Sequence, residues 1–531
     1  MKENAFRLND RGDEKLTWFH ETMHTPTALT PLAGDYMRCV LEGINARHDS
    51  WDIPMHLRMQ VINSFLYVAN EDSGIPESEL DEMIRTAARA RAPEGRMFWE
   101  NEVMPALLDA YSWIEAVDAT RAPLEKLSAN WDEAWDLVIR LYGFHFQVTG
   151  IAYRALDDLA DAYEAVVENA HPGEALSLVQ GLAQELQKTQ NDMYALAAKA
   201  PEVPGLEELI LKRPPEAMRR ILSMDSTDPF GSEFERFMKA HGHLGQAYDD
   251  LRQASWIEEP NLLISEISTR LRAGNPDPGE RLAQTIEESK RTEEALMKVL
   301  SDRPDDLTMM KDKIALARSV GPLTEDHNYW IDRMLHSKMR SFVWRIGERM
   351  MVEQIIIEQD DIFFLHHDEV SEALKDGVNR QADVETRRAS FKINETLSPP
   401  AKLGAEPKKK ATADRFDGGK AESDDPALLR GSAASAGKAR GPARVVLSNA
   451  DFAKVEGGDI LVCPSSNPSY VPLFGVIGGL VTDTGGVTSH AAVVAREFGV
   501  PAVVGTRKGT KTFIDGDLIE VDGSRGEVRK I

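Results

Sequence analysis

Apolar residues recur at helical spacing through most of the first 395 positions of the chain. Steps of three and four residues, which place side chains on one face of a helix, connect the members of three runs: Ile331, Leu335, Met339, Phe342, Ile346 and Met350; Leu156, Leu159, Tyr163 and Val166; and Leu178, Leu182 and Leu186. This pattern predicts a large all-α domain over residues 1–395.

The pattern changes near the end of the chain. Between residues 398 and 426 Pro, Ala, Lys, Gly and Asp predominate, which predicts a linker too polar to pack, assigned to 396–428. Beyond it, short β-branched runs bounded by Gly, Pro or Asp predict strands, and residues 490–498 predict a helix. The strand runs are 443–447, 459–462, 479–482, 502–504 and 517–523. A small α/β domain over 429–531 therefore follows the helical one, so the fold class is multidomain, α plus α/β.

Composition narrows the classes of function. The 531 residues carry a net charge of −25, and the acidic excess lies in residues 1–428, because 429–531 contain twelve Lys and Arg against ten Asp and Glu. Such a charge disfavours binding to nucleic acid or an anionic membrane. The two cysteines, Cys39 and Cys463, supply neither a disulfide framework nor a Cys-rich zinc site. Without an apolar leader or a long apolar stretch, we expect a cytoplasmic protein.

The strongest chemical signal is a histidine placed between a glycine loop and a helix. A strand at 479–482 leads to Gly485 and Gly486, then to Thr488 and Ser489, and His490 opens the next helix. Glycines let the backbone turn sharply, and a hydroxyl residue can cap a helix. The helix N-terminus attracts anions, so the pocket suits a phosphoryl group on the imidazole. From spacing alone, an ordinary turn beside an exposed histidine is an equally good interpretation.

Residues 429–531 closely resemble the swivelling β/β/α phosphohistidine domain of the phosphoenolpyruvate-utilising enzymes, such as phosphoenolpyruvate synthase, pyruvate phosphate dikinase, rifampicin phosphotransferase and phenylphosphate synthase. The matching stretches are 431–437, 458–462, 485–492 and 495–504. The resemblance implies that His490 is the residue phosphorylated, with Gly485, Gly486, Thr488 and Ser489 around the phosphate. It also implies ATP and Mg²⁺ as cofactors, with AMP and phosphate as by-products.

The layout resembles the acceptor and histidine subunit of phenylphosphate synthase, or rifampicin phosphotransferase without its ATP-grasp domain. No nucleotide-binding pattern precedes the histidine domain, and the 41 residues after His490 leave no room for a phosphoenolpyruvate-binding barrel. We therefore expect a separate ATP-grasp subunit that binds most of the ATP and Mg²⁺, within a hetero-oligomer, and no metal site in this chain. The expected acceptor is a hydroxyl compound, a phenol or cresol that becomes an aryl phosphate. The alternatives are a phosphoenolpyruvate synthase-like enzyme, an antibiotic phosphotransferase component and a non-catalytic phosphocarrier.

The helical region resembles the family's acceptor domain more weakly, at 242–260 and 325–332. Leu244 stands where the family usually has Arg, and Tyr248 where it often has Glu. The acceptor hydroxyl needs a base. His327, on the inward face of its predicted helix, is the first candidate and His243 the second, although a buried structural histidine is the more common case.

Two short motifs suggest metals instead. Residues 20–24 spell the H-E-x-x-H pattern of zinc proteases, but Pro26 follows at once, so a chance match is the better interpretation. Residues 366–369, His-His-Asp-Glu, are better explained as a solvated loop than as a metal site.

Overall fold

The structure of the chain is a computed structural model. It describes residues 6–8, 12–22, 24–168, 170, 172–182, 184–225, 227–245, 250–406, 428–466, 470–487 and 489–531.

Helices make up most of the chain before residue 395, and three short ones lie in the described part of the chain after it. They are α1 (Pro31–Ser50), α2 (Glu77–Arg91), α3 (Gly95–Phe98), α4 (Met104–Ala116), α5 (Leu124–Val166), α6 (Pro172–Ser177), α7 (Gln184–Ala198), α8 (Leu206–Lys212), α9 (Pro214–Ile221), α10 (Pro229–His241), α11 (Asn261–Arg272), α12 (Pro278–Val299), α13 (Pro304–Val320), α14 (Leu323–His327), α15 (Met334–Val352), α16 (His367–Asp376), α17 (Gln381–Asn394), α18 (Val471–Phe474), α19 (His490–Glu497) and α20 (Gly509–Thr512).

The strands form two sheets. They are β1 (Thr17–His20), β2 (Leu57–Ile62), β3 (Phe65–Asn70), β4 (Lys402–Gly404), β5 (Leu428–Arg430), β6 (Ser432–Ser435), β7 (Lys438–Val445), β8 (Ile460–Cys463), β9 (Gly479–Thr482), β10 (Ala502–Val504), β11 (Leu518–Asp522) and β12 (Glu527–Lys530).

Contacts divide the chain into two compact units. The first unit comprises Met1–Gly150, Ala247–Ala254 and Trp330–Lys410, and the second comprises Ile151–Gln246, Ser255–Tyr329 and Ala411–Ile531. The second unit thus joins the C-terminal domain to part of the helical region. The boundaries that the sequence predicts, 1–395, 396–428 and 429–531, stay a prediction.

The first unit contains a small antiparallel sheet that the helical pattern hid. Its strand order is β2-β3-β1-β4. Trp18 on β1 and Tyr67 on β3 are fully buried in its core, and Leu403 on β4 packs against the same cluster. Strand β4 lies inside the predicted linker, so that prediction is wrong for residues 402–404: Leu403 supplies the apolar contact that the polar composition obscured. Residues 407–427 of the predicted linker lie outside the described residues.

The second unit contains an eight-stranded mixed sheet of order β5-β12-β11-β7-β8-β9-β10-β6. Strands β7 to β10 run parallel to one another in the middle, and antiparallel pairs complete both sides. All five predicted strand runs and the predicted helix at 490–498 are present, which confirms the small α/β domain. The predicted fold class, a large helical region followed by this domain, is confirmed.

Alternate residues of β8 face opposite sides of the eight-stranded sheet, as strand geometry requires. Leu461 and Cys463 join the apolar cluster that includes α18 and α19, whereas Ile460 and Val462 join a second cluster with β11 and β12. Helix α19 is therefore held on one face of the sheet by its own buried side chains. This packing fixes the position from which His490 projects.

One predicted helical run is wrong. Helix α6 ends at Ser177, and Leu178 and Leu182 lie in the connection before α7. Gly181 adopts a φ of +77°, a left-handed conformation that a continuous helix cannot contain. Leu178 is nevertheless fully buried, so its apolar character reflects core packing rather than helix periodicity. In the part of the chain that the structure describes, no helix has the length and apolar character needed to cross a membrane.

Candidate active site

The loop between β9 and α19 is anchored at its base by its neighbours. Asp483 donates its backbone N–H to the carbonyl of Cys463, and Thr484 donates to that of Pro464, each at 3.0 Å. On the other side Arg507 N–H donates to the Asp483 carbonyl at 2.7 Å. The loop thus begins at the carboxyl end of a parallel strand and is held between the chain at the end of β8 and the chain after β10. The carboxyl ends of parallel strands are the usual location of ligand sites in such sheets.

The two glycines of the loop differ in role. Gly485 has a φ of +109°, and a Cβ there would lie 2.9 Å from Ser489 Oγ, so the position requires glycine. Nothing lies within 4 Å of a Cβ placed on Gly486, so the space beside it is open. One glycine shapes the turn and the other leaves room beside the backbone.

Ser489 occupies the N-cap position of α19, as predicted, but its hydroxyl makes no capping hydrogen bond. Its Oγ is buried and has no hydrogen-bond partner among the described residues. The first turn of a helix presents N–H groups without intrahelical partners, and they attract anions. An orphaned hydroxyl at this point suits an anionic ligand. Thr488, the other predicted phosphate-binding hydroxyl, lies outside the described residues.

His490 contacts helix α14 and the residue after it. Its Nδ1 lies 3.4 Å from Glu325 Oε1 and 3.5 Å from Asn328 Nδ2. Asn328 also donates from Nδ2 to Glu325 Oε2 at 3.2 Å, which orients the carboxylate. Glu325 and Asn328 are three residues apart, so they share one face of the helical turn.

These contacts distinguish the two ring nitrogens of His490. The Glu325 carboxylate beside Nδ1 favours hydrogen on that atom and a lone pair on Nε2, whereas the 3.5 Å contact from Asn328 Nδ2, which can only donate, would need the opposite tautomer. Nε2 is buried, and no hydrogen-bond partner for it lies in the described ranges. A neutral imidazole with a free Nε2 lone pair is a nucleophile, so the arrangement suits covalent catalysis through Nε2.

A buried arginine connects the loop to the sheet. Arg496 Nη1 donates to the carbonyls of Val487, at 2.7 Å, and Ala434, at 2.8 Å. Burial lowers the pKa of Arg496 to about 10, and the nearby charges of Glu497 and, less strongly, Glu325 oppose this shift. The guanidinium therefore stays charged near neutral pH and holds the loop just before His490.

Of the two predicted bases, His327 ends helix α14 and His243 lies just after α10. His327 is buried and its Nδ1 donates to the carbonyl of Leu323 at 2.7 Å, so Nε2 is the nitrogen that can accept a proton. The His243 ring packs edge-to-face on Tyr329 with centroids 4.8 Å apart. Leu244, the departure from the family pattern, is buried; Tyr248 lies outside the described residues. The catalytic roles of His327 and His243 stay predictions.

Sequence reasoning missed three functional candidates in the second unit. Glu325 and Asn328 lie in the stretch 325–332, on either side of His327, the residue that the sequence predicts as a base. The third is His241, whose Nε2 lies 2.7 Å from Asp192 Oδ2. Burial lowers the pKa of His241, and the Asp192 contact opposes that shift only in part. Spacing along the sequence does not reveal this pair, because Asp192 lies on α7 and His241 on α10.

The H-E-x-x-H motif is not a zinc site in this structure. His20 ends strand β1, so it and His24 do not lie on one helix. Glu21 accepts hydrogen bonds from the backbone N–H groups of His24 and Thr25. Burial raises its pKa, but these bonds and the His24 side chain outweigh burial and lower it to about 2. Glu21 is a structural carboxylate, which agrees with a chance match.

The His-His-Asp-Glu stretch is not a solvated loop; it begins helix α16. His366 occupies the N-cap position, and its Nδ1 lies 3.0 Å from Asp35 Oδ2, which raises the pKa of His366. The His367 ring lies 4.8 Å from that of Trp135. Together they border a groove of about 680 Å³ in the first unit, within the size range of small-molecule sites. The sequence analysis did not predict this groove.

Comparisons with known proteins agree with the fold. Residues 455–526 match the family model for the mobile domain of PEP-utilising enzymes, and residues 147–325 match that for the rifampicin phosphotransferase fourth domain. Both matched segments lie mostly in the second unit, which contains His490 and Glu325. The segment that contains the Gly485 turn and His490 is thus similar to a mobile domain of PEP-utilising enzymes, and the helical segment before it is similar to a rifampicin phosphotransferase domain. These matches confirm the resemblance recognised in the sequence.

Three relatives illustrate the match. The chain is 27% identical over 556 residues to chondramide synthase cmdD of Chondromyces crocatus, covering 97% of this chain and 14% of that protein. It is 29% identical over 428 residues to the uncharacterized phosphotransferase YvkC of Bacillus subtilis (strain 168), covering 79% and 51%. It is 31% identical over 285 residues to rifampicin phosphotransferase of the same organism, covering 52% and 32%. The chain thus spans at most about half the length of these relatives.

Proposed function

We propose that this chain carries phosphoryl groups on His490 Nε2 and transfers them to the hydroxyl group of a small molecule, as a component of an ATP-dependent phosphotransferase. The observation that carries the proposal is the geometry of His490: it opens α19 after the Gly485 turn, its Nδ1 faces Glu325, and its Nε2 is left for chemistry. The family match and the relatives named as phosphotransferases support it.

The surroundings of Nε2 suit a phosphoryl group. The buried Ser489 hydroxyl, the N-terminal turn of α19 and the open space beside Gly486 provide a donor, a positive dipole end and room. Arg496 keeps the loop in place through the Val487 carbonyl. Splitting one transfer into two through a covalent intermediate lets the donor and acceptor be handled in separate steps.

ATP is the proposed source of the phosphoryl group, and a separate ATP-grasp subunit is the proposed place where His490 is loaded. Mg²⁺ bound there would neutralise phosphate charge during loading. The chain would then present phospho-His490 to the acceptor. The resemblance of the layout to the acceptor and histidine subunit of phenylphosphate synthase is the ground for proposing a phenol as the acceptor. The likeness of residues 147–325 to a rifampicin phosphotransferase domain favours an antibiotic as the second candidate acceptor.

The test combines the chain with an ATP-grasp subunit, Mg²⁺ and ATP labelled at the β-phosphate. We expect label on the wild-type chain and none on His490→Ala, with His366→Ala as a matched control that keeps the label. Equal labelling of wild type and His490→Ala would refute the role of His490. Labelling without the added subunit would refute the proposed partner.

Release of AMP that depends on an acceptor then identifies the acceptor class. Phenol, cresol, rifampicin and pyruvate are tested separately. Release with phenol or cresol supports the leading proposal, and release with rifampicin alone supports the antibiotic alternative. Release with pyruvate would indicate a phosphoenolpyruvate synthase-like enzyme, and no release with any acceptor would indicate a phosphocarrier.

A further inference from the structure

We propose that Glu325 is a positioning residue that makes phosphorylated His490 reactive, and that it does so only while the C-terminal domain is docked on helix α14. This inference rests on the proposed function, because it concerns the phosphorylated form of His490. It gives a side chain outside the C-terminal domain a role in the transfer of the phosphoryl group from His490 to the acceptor.

Glu325 is suited to this role by its position. Its side chain is buried, and Oε1 lies 3.4 Å from His490 Nδ1, within ion-pair distance but longer than a strong hydrogen bond. The other carboxylate oxygen is held by Asn328 at 3.2 Å. In the described part of the chain, Glu325 is the carboxylate that lies within 4 Å of the His490 ring. Its effect on the ring is therefore electrostatic and directed at Nδ1.

The chemistry of transfer explains why Nδ1 matters. In the transfer step the bond from Nε2 to phosphorus breaks and its electron pair returns to Nε2, while the acceptor oxygen bonds to phosphorus and loses its proton to a base. If Nδ1 lacks hydrogen, the leaving group is an imidazolate, which is a poor one. If Nδ1 carries a hydrogen taken from solvent beforehand, the leaving group is neutral imidazole. A carboxylate beside Nδ1 stabilises that protonated ring.

Other charged groups near the ring do not replace Glu325. On α19, the helix of His490, the charged residues are Arg496, which donates to two backbone carbonyls, and Glu497. On α14 they are Asp326 and His327, which flank Glu325 in sequence. Tyr153 of α5 acts on Arg496 and is neutral near pH 7. Arg496 opposes a positive ring, whereas the Glu325 carboxylate, 3.4 Å from Nδ1, favours it.

Docking brings Glu325 to His490 through close contacts between the C-terminal domain and helices α11 and α12. Arg281 Nη1 donates to the Phe474 carbonyl at 3.1 Å. A Cβ placed on Gly457 would lie 2.9 Å from the Cβ of Ala273, so only glycine permits this approach. When the domain leaves α11 and α12, it leaves the carboxylate behind. Phospho-His490 is then the less reactive, unprotonated form.

The experiment uses the full chain phosphorylated chemically with potassium phosphoramidate, so that it does not depend on a partner or an acceptor. His490→Ala identifies the signal of phospho-His490 in ³¹P NMR. The pH at which this signal shifts reports protonation of Nδ1, and mass spectrometry of the His490 peptide reports the decay rate. Variants Glu325→Gln, Glu325→Asp and Gly457→Leu are compared with Glu288→Gln, an exposed glutamate of α12 with the same change of charge.

We expect the ³¹P signal of phospho-His490 to shift at a pH about one to three units higher in wild type than in Glu325→Gln. An opposite charge at this distance changes the titration of a group by that amount. Phospho-His490 should decay about tenfold or more faster in wild type near pH 8, with the difference vanishing at low pH. In both measurements Glu325→Asp should give values between those of wild type and Glu325→Gln, and Glu288→Gln should match wild type. Gly457→Leu should behave like Glu325→Gln.

Equal inflections in wild type and Glu325→Gln would overturn the role of Glu325. A wild-type inflection in Gly457→Leu would overturn its dependence on docking. Neither result touches the proposed function, which would instead be refuted if phosphoramidate produced no signal that His490→Ala removes.

Discussion

The turn at Gly485 gives a quantitative test of how the loop holds His490. Alanine at this position must adopt a φ of +109°, a region that costs a non-glycine residue about 1–3 kcal/mol. Its Cβ would also lie 2.9 Å from Ser489 Oγ and 3.2 Å from Ser489 Cβ. The hydroxyl can rotate away, but the Cβ contact can be relieved only by a backbone shift. We therefore expect Gly485→Ala to destabilise the loop locally by about 1–3 kcal/mol.

Gly486→Ala is the matched control. Its backbone is not in the positive-φ region, and nothing lies within 4 Å of the added Cβ. We expect a change of no more than about 0.5 kcal/mol.

Hydrogen exchange followed by mass spectrometry is the assay, because it reads peptides from residues 483–497 directly. Tryptophan fluorescence would not report this loop, since every tryptophan lies at or before Trp344. A local loss of 1–3 kcal/mol corresponds to exchange about 5- to 150-fold faster in Gly485→Ala. Equal exchange in Gly485→Ala and Gly486→Ala would show that the turn is not what holds the loop.

Three further predictions follow from buried groups. Arg496→Met should destabilise the C-terminal domain by about 2–3 kcal/mol, because two buried carbonyls lose a charged donor; a loss below 1 kcal/mol in urea denaturation would contradict this. Glu21 has a pKa of about 2 in the folded chain against an ordinary 4.5. It therefore adds up to about 3 kcal/mol to the free energy of unfolding above pH 4.5, and this contribution is lost as the pH falls towards 2. The urea midpoints of wild type and Glu21→Gln should thus differ at pH 7 and approach each other as the pH falls towards 2. Cys463 is fully buried, and burial raises the pKa of its thiol well above the usual value, so iodoacetamide at pH 8 should not modify Cys463 until urea unfolds the chain; rapid native labelling of Cys463 would be inconsistent with its burial.

The part of the site that lies in one short stretch was predictable from sequence. The strand, glycine turn and helix around His490 are local features, and residue types at fixed spacing encode them. Glu325 and Asn328 were not predictable as its neighbours, because their contact with His490 depends on how α14 packs against α19. Ser489 shows the same limit: its place at the N-cap follows from sequence, whereas its unused hydroxyl does not.

The fold shows the same division between local and distant information. Long helices such as α15 and the central strands of the eight-stranded sheet follow from periodicity and β-branched runs. Strand β4 was hidden because its three residues form a strand only by pairing with β1, nearly 400 positions earlier in the chain. Leu178 misled the helix prediction because burial alone, without a helix, accounts for its apolar side chain.

The order of the eight-stranded sheet also determines when this domain can fold. Strand β5 pairs only with β12 among the described strands, and β12 in turn connects β5 to β11. Strand β5, the first of the sheet in the sequence, can therefore pair only after β12, the last, has been made. Pairing between strands so far apart in sequence makes folding slow. During synthesis, β5 leaves the ribosome about a hundred residues before its partner. Until then its backbone groups remain open to other strands, which makes this edge the place where a nascent chain is most prone to mispairing.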